Sequence, residues 1–431
     1  MWQRIHSSGK RLLSVAAWKI RLVFWSGAVL VGLAAALFAL ASNEANHMFN
    51  RVLAHSPYIP FILSPLGLVL VAWLTRRYVP GAQGSGIPQS IAALELKKHS
   101  ARKALLSLRI AFGKIVLTLL GLLSGASIGR EGPTVHVGAA IMFSLGAFVR
   151  FPSHYLDKGL ILAGGAAGIA AAFNTPLAGI VFAIEEMSRS FEQRTSGTLL
   201  TAVIFSGVTA IAVLGNYTYF GSTTAEMPLD LAWLAVIVCG VVGGVLGGLF
   251  SHSLIWAMRR VAPVRQRAPL LLAAACGLGI AVIGLASGNL TYGTGYDEAR
   301  QLVTGTGTLG NAYPYLKMLA TAVSYISGIP GGIFAPSLAT GAGLGAHVAE
   351  FFPGTPVAAI VILGMVGYFA GVVQTPITAF VIVMEMTNNQ ALVLPLMATA
   401  FIGYGISRII CPTSIYQELA MDFLADTRLT K

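Results

Sequence analysis

Charge is what this sequence most lacks: Asp, Glu, Lys and Arg make up 10% of its 431 residues, where a soluble protein of that size carries about a quarter. Beside 55% hydrophobic residues, that shortfall excludes a water-soluble globule. It also excludes a disordered chain, which needs low hydrophobicity and dense charge. No long polar stretch interrupts the apolar segments, so there is no room for a sizeable soluble domain. Acid is scarcer than base, with 16 Asp and Glu against 28 Lys and Arg. The basic residues sit in short connectors between apolar runs and are not clustered with aromatics on one polar face, so the surplus reads as membrane topology and not as a nucleic-acid surface. Cysteine is nearly absent. Cys239, Cys276 and Cys411 stand singly in apolar surroundings, with neither metal-site spacing nor a disulfide framework, and read as buried bystanders. No Ser/His pair, zinc spacing or Gly-Lys-Ser/Thr loop falls on an apolar segment, so no enzyme and no metal site is expected. An intramembrane enzyme would have only His136 to start from, and a lone His there reads as a packing residue.

What is present is a series of apolar segments. Basic residues Arg4, Lys10, Arg11, Lys19 and Arg21 precede a run from Leu22 to Ala41, long enough to span a bilayer. Ala39-Leu40-Ala41 is a passable signal-peptide cleavage site, but with so many spans following, an uncleaved first helix is the simpler account. Further segments lie near 61–74, 110–128, 134–149, 159–187, 198–214, 232–250, 270–286, 316–327, 336–352, 355–371 and 376–405. Several are too short or too broken by Gly and Pro to cross alone. The connectors with Lys97, Lys98, Arg102, Lys103 and Arg109, with Arg189 and Arg194, and with Arg259, Arg260, Arg265 and Arg267 read as cytoplasmic. Connectors 43–57 and 215–231 hold one basic residue, Arg51, between them and read as external, as does 287–300 by counting spans. Both termini then lie inside, the last stretch carrying Arg408, Arg428 and Lys431.

An internal repeat is the most informative feature. Ser124-Gly-Ala-Ser-Ile-Gly-Arg-Glu-Gly-Pro133 aligns with Ser327-Gly-Ile-Pro-Gly-Gly-Ile-Phe-Ala-Pro336 at an offset of 203. Asn174-Thr-Pro-Leu-Ala-Gly-Ile-Val-Phe-Ala-Ile-Glu185 aligns with Gln374-Thr-Pro-Ile-Thr-Ala-Phe-Val-Ile-Val-Met-Glu385 at an offset of 200. The first copy follows a cytoplasmic connector and the second an external one, so the halves are expected to be inverted. Inverted repeats with interrupted helices are a transporter architecture with its site near the midplane.

Three breaks would line that site: Gly84-Ser-Gly-Ile-Pro88, Gly129-Arg-Glu-Gly-Pro133 and Gly331-Gly-Ile-Phe-Ala-Pro336. In each, glycines precede a proline that is tolerated in a first helical turn, so each reads as a helix N-terminus inside the apolar zone. Such an end presents unpaired N–H groups and the positive end of the helix dipole. In lipid those donors need a partner, and an anion suits them. One such break alone would more simply be a packing kink; three of one form, two related by the repeat, point to a site. The glycines of 164–168 and 240–248 lack the proline and read as close helix packing.

An ionisable residue within a membrane segment is a functional candidate by default, and Glu131 is the first. Its carboxylate can occupy the anion site itself, and protonation would release it. The plainer role is capping its own helix or pairing with Arg130. Glu185 and Glu186 end an apolar run; one of them would pass protons from the cytoplasm, or act as an interfacial acid beside Arg189. Glu385, the counterpart of Glu185, reads as structural.

Taken together and in this order, Gly-Ser-Gly-Ile-Pro, Gly-Arg-Glu-Gly-Pro and Gly-Ile-Phe-Ala-Pro resemble the signature stretches of the CLC family of chloride channels and chloride/proton exchangers. The resemblance runs from about residue 60 to Tyr416, and is closest to bacterial members of the enterobacterial kind described as voltage-gated chloride channels. It implies an all-α polytopic membrane protein, a CLC-like inverted-repeat bundle of tilted and interrupted helices. It further implies a homodimer with one pathway per subunit in the bacterial inner membrane, with chloride and protons as its ligands and no cofactor. Carried over by position, Ser85 and Tyr416 would bind the central chloride with the amides of Ile333 and Phe334. Glu131 would be the external gating glutamate, Arg130 and Gly132 would lend amides to the outer site, and Glu186 would be the internal proton-transfer acid of the exchangers. An acid at Glu186 leans toward exchange over a passive channel, and Ser85, where nitrate-preferring members have proline, leans toward chloride. Gln89 stands where related exchangers often carry an acid. The expected organisation is one transmembrane domain over residues 1–425, with repeats near 60–215 and 265–416 and no soluble regulatory domain.

Overall fold

The computed structural model describes residues 15–146, 154–188, 196–227 and 232–429. Arg4, Lys10, Arg11, Arg189, Arg194 and Lys431, used above to orient the chain, lie outside the described residues. Helices occupy Val15–His55 (α1), Pro60–Tyr78 (α2), Ile87–Glu95 (α3), His99–Leu105 (α4), Leu108–Leu123 (α5), Glu131–Gly146 (α6), His154–Phe173 (α7), Pro176–Phe182 (α8), Ser196–Leu214 (α9) and Trp233–Arg267 (α10). They continue with Pro269–Ala286 (α11), Tyr296–Thr304 (α12), Tyr313–Ile326 (α13), Phe334–Ala349 (α14), Val357–Val373 (α15), Pro376–Thr387 (α16), Val393–Ile410 (α17) and Ile415–Leu429 (α18). This is an all-helical, multi-pass membrane protein. Among the described residues, 7 helical stretches are long and apolar enough to cross a bilayer, and the others are shorter pieces.

The short pieces follow from the sequence's punctuation. Helices α2, α3, α8, α11, α13 and α16 all open on a proline at the first or second position, where its missing N–H would have no partner anyway. The apolar stretches 159–187 and 376–405, read above as continuous, are each two helices. The first divides at Asn174-Thr175, between α7 and α8, and the second at Asn388–Leu392, between α16 and α17. Apolar periodicity carried through these points because each interruption takes only a few residues. The αL residues Asn174 and Asn388, at φ 57° and 48°, turn the chain, a conformation that asparagine tolerates better than most. Gln374 takes the same conformation between α15 and α16, held by its amide donating to the Cys411 carbonyl at 2.6 Å and the Ser407 hydroxyl at 3.1 Å.

The core is deepest at α15, where every residue from Ala359 to Val373 is buried. A helix that is apolar all round must be covered all round, and α14, α10 and α17 do this. Glycines set the spacing: a Cβ on Gly243 would fall 2.9 Å from the Gly367 Cα, so α10 and α15 meet backbone to backbone. The expected packing role of the 240–248 glycines matches this contact. On the other side, α6 packs on α7, and α9 on α1.

Two expectations about polar segments change. Arg102, grouped above with solvated connector charges, is buried; its guanidinium donates to the carbonyls of Ala93 and Leu96 and to Asp157. It closes the end of α3 onto α4, because the carbonyls left open there need donors. Residues 215–227 are more than a connector. With no basic residue and several aromatics, they have surface to bury, and the segment folds inward with Phe220 N–H donating to Met386 O at 3.0 Å and Asn389 Nδ2 to Ala225 O at 2.8 Å.

Candidate functional site

The three Gly/Pro breaks converge. Gly129 and Gly332 exchange backbone hydrogen bonds of 2.7 and 2.8 Å, while Gly84 N–H donates to Ile329 O at 3.1 Å and Gly331 N–H to Gly84 O at 3.2 Å. These loops thereby satisfy their own polar groups inside the apolar zone. The helices they launch, α3, α6 and α14, start around one point, and their first-turn amides have no intrahelical acceptor. Two glycines make the approach possible. Gly86 has φ 101°, and a Cβ there would lie 2.6 Å from the His136 Cβ. A Cβ on Gly132 would collide with the Ser85 hydroxyl.

Side chains with open valences face this point. The Ser85 and Tyr416 hydroxyls are fully buried and have no hydrogen-bond partner of ordinary geometry, although they lie within reach of one another. An orphaned buried hydroxyl costs stability unless something fills the gap. Ile333 is the N-cap of α14 and Phe334 its first residue, and the Phe334 ring is wedged between Phe173 and Phe369. Gly132 packs against Ser85, and Gly332, the residue before Ile333, packs against the Gly132 amide, so the starts of α6 and α14 meet beside Ser85. The pair of unfilled donors fits an acceptor-only ligand such as an anion. No group of three or more His, Cys, Asp or Glu suited to a metal occurs among the described residues.

Glu131, the first residue of α6, is fully buried. Its Oε1 accepts from the Tyr219 hydroxyl at 3.2 Å and lies 4.0 Å from Arg130 Nε. The backbone N–H groups of Glu131 and Ala335 lie beside its carboxylate, and Oε2 closes no hydrogen bond of ordinary geometry. The carboxylate thus sits between the starts of α6 and α14, where helix dipoles favour negative charge. Arg130 itself is spent elsewhere, on the Ala39 carbonyl at 2.6 Å and Asn43 at 2.8 Å; its pairing with Glu131, weighed above as part of the plainer alternative, is a long contact. Gly132 follows in the first turn of the same helix.

The two acids on the π-helical turn that follows α8 separate by environment. Glu185 reaches across the repeat and accepts from Ile377 N at 3.1 Å, Thr378 N at 2.6 Å and Thr378 Oγ1 at 2.8 Å, capping α16. Glu385 returns the contact, accepting from Leu177 N at 3.1 Å and Ala178 N at 2.7 Å, and caps α8. Glu186 is fully buried on a π-helical turn, Ala183–Ser188, an irregularity common at functional sites. Its backbone carbonyl accepts from Gln417 Nε2 at 3.3 Å, and its side chain is within electrostatic range of Tyr416.

Sequence reasoning missed three residues here. Lys114 on α5 is buried and donates to Gly84 O at 3.1 Å, beside Gly86 and His136. His136 bonds Leu105 O at 2.9 Å, in line with its expected packing role. Tyr325 closes over Gly84 from α13, and Tyr219 holds Glu131. Lys114 was legible as an ionisable residue within an apolar run; Tyr219 carried no such signal. Two cavities lie near these residues, the first against the end of α10 and the second between the end of α3 and α18. One of about 400 Å³ reaches Gly84 and Tyr325 past Arg76 and Arg265, and one of about 590 Å³ reaches Gln417 past Glu95 and Lys98.

Comparisons with known proteins identify the family and the fold. Residues 66–408 match the family described as voltage gated chloride channel. The chain is 32% identical over 387 residues to the H(+)/Cl(-) exchange transporter ClcA of Yersinia pestis bv. Antiqua (strain Angola), covering 85% of this chain and 78% of that one. Its fold matches the crystal structure of a slow cyanobacterial Cl-/H+ antiporter with a TM-score of 0.83 at 26% identity, over 95% of this chain and 99% of that one. It also matches a CLC-type fluoride/proton antiporter with a TM-score of 0.80 at 24% identity, over 94% and 98% of the two chains. With a family match across most of its length, helix starts converging on one point and two orphaned hydroxyls facing it, the chain belongs to the CLC family of anion transporters and has the CLC fold.

Proposed function

We propose that the protein exchanges chloride for protons across the bacterial inner membrane. Chloride would bind between Ser85, Tyr416 and the amides of Ile333 and Phe334, with Arg130 and Gly132 lending amides to an outer site. Glu131 is the gate: its carboxylate holds an anion position, leaves it on protonation, and admits chloride. Glu186 recharges Glu131 with protons from the cytoplasm, so the two flows share a step. The observation that carries this reading is the seat of the Glu131 carboxylate between the starts of α6 and α14, an anion in an anion's place. Two separate cavities support it, one lined by Gly84 and Tyr325 and one by the Gln417 that bonds the Glu186 carbonyl. The Ser85 hydroxyl, where nitrate-preferring members have proline, favours chloride over nitrate, and the exchanger relatives favour coupling. By the same resemblance we infer a homodimer with one pathway per subunit, inverted repeats near 60–215 and 265–416 in one transmembrane domain, cytoplasmic termini, and kinship with the enterobacterial members described as voltage-gated chloride channels.

The test is purified protein in liposomes under a chloride gradient, with internal pH followed and Glu131→Ala run beside it. Uphill proton movement driven by chloride, lost in the variant, is expected. Chloride flux without proton movement assigns a gated channel instead, with Glu186 an interfacial acid.

A further inference from the structure

The inward fold of residues 215–227 gives the Glu131 carboxylate its one side-chain hydroxyl donor among the described residues. The segment is anchored at several points. Asn174 Nδ2 donates to Tyr217 O at 2.8 Å, Phe220 N–H to Met386 O at 3.0 Å, and Gly221 N–H to Thr218 O at 3.2 Å in the turn that carries Tyr219. From that turn the Tyr219 ring descends, fully buried, into an aromatic box. Phe173 lies 5.1 Å from its centroid, and Tyr296 and Phe220 each lie 4.9 Å away, all edge-on. Such edge contacts fix a ring's tilt, and here the tilt aims the hydroxyl at Glu131 Oε1.

We propose that Tyr219 is a positioning residue that latches the Glu131 carboxylate in the anion site and releases it on protonation. This rests on Glu131 being the gate. An ionised carboxylate only accepts hydrogen bonds, and a phenol donates one. A donor to the charged form favours that form and its seat. Once protonated, Glu131 gains a donor of its own, loses the charge that strengthened the bond, and is freer to leave. The other charged or titratable groups facing this pair are Arg130 before α6, Tyr217 on the same segment, Tyr296 on α12 and Tyr416 on α18. Arg130 also favours the seated carboxylate, but across 4.0 Å and with its guanidinium tied to Ala39 and Asn43. The phenol is the contact a small change can remove without disturbing the helix starts.

The test is chloride efflux from liposomes over a pH series, for the full chain, Tyr219→Phe, Glu131→Ala and the double variant. Tyr219→Phe keeps the ring packing and deletes one oxygen. It is expected to raise efflux at neutral pH and to move the half-maximal pH upward by about one unit, the effect of one hydrogen bond to a charged group. On the Glu131→Ala background it is expected to change nothing. An unmoved profile, or the same change with and without Glu131, would overturn the latch. If Tyr219→Phe does not fold, 3-fluorotyrosine at 219 replaces it; the stronger donor must move the profile to lower pH, and an unmoved profile again overturns the proposal. If Glu131→Ala itself leaves efflux and its pH dependence as in the unaltered chain, the gate reading has failed and the latch falls with it.

Discussion

Removing the Glu185 carboxylate separates a structural acid from a transport acid. Glu185 accepts three hydrogen bonds of 2.6 to 3.1 Å at the start of α16. Each is worth about 1 kcal/mol net, somewhat more to a charged acceptor, so Glu185→Ala is expected to cost about 3 kcal/mol. At about 2 °C per kcal/mol for a chain of this size, the unfolding midpoint in detergent should fall by about 6 °C. Glu385→Ala loses only two bonds and should fall by about 4 °C, while Glu185→Gln keeps an acceptor oxygen and loses less. All three should still couple protons to chloride in liposomes. Glu186→Gln should do the reverse, melting near the unaltered chain and moving chloride without protons. A Glu185→Ala variant with an unchanged midpoint, or one that melts normally and loses proton movement, would refute this division of labour.

Gly132→Ala places a methyl group on the Ser85 hydroxyl, an overpacking of about 1 to 3 kcal/mol at the anion contact. Chloride binding by calorimetry should weaken at least tenfold even where the variant folds. Lys114→Met keeps the volume of the side chain but removes the donor to the Gly84 carbonyl beside Gly86. One such hydrogen bond is worth about 1 kcal/mol, so chloride affinity should drop by about fivefold in the same measurement as the Gly84 loop loosens.

Much of this site was legible because helix starts are written in glycine and proline. Gly84 to Pro88, Gly129 to Pro133 and Gly331 to Pro336 mark where α3, α6 and α14 begin, and the repeat says that two of them correspond. The Asn174-Thr175 and Asn388–Leu392 breaks were less legible, since a few residues of turn between apolar runs barely disturb the hydropathy. Lys114 and Arg102 show a second gap. Arg102 was counted as a loop marker and Lys114 was passed over within its apolar run, yet both are buried against carbonyls, where geometry and not composition decides. Tyr219 was invisible in principle: which phenol of a 431-residue chain meets Glu131 depends on an irregular segment returning over three helices.

The mutual bridging of Gly129 and Gly332 bears on how the protein is made. The two residues lie 203 positions apart, and at a synthesis rate of about 5 to 20 residues per second the first waits about 10 to 40 s for the second to leave the ribosome. Through that interval the nascent amino-terminal half holds a broken helix whose backbone groups have no partner in lipid. The early half must therefore remain beside the translocon's water or a membrane chaperone, and a chain truncated before Gly332 presents that break as a ready signal for quality-control proteolysis.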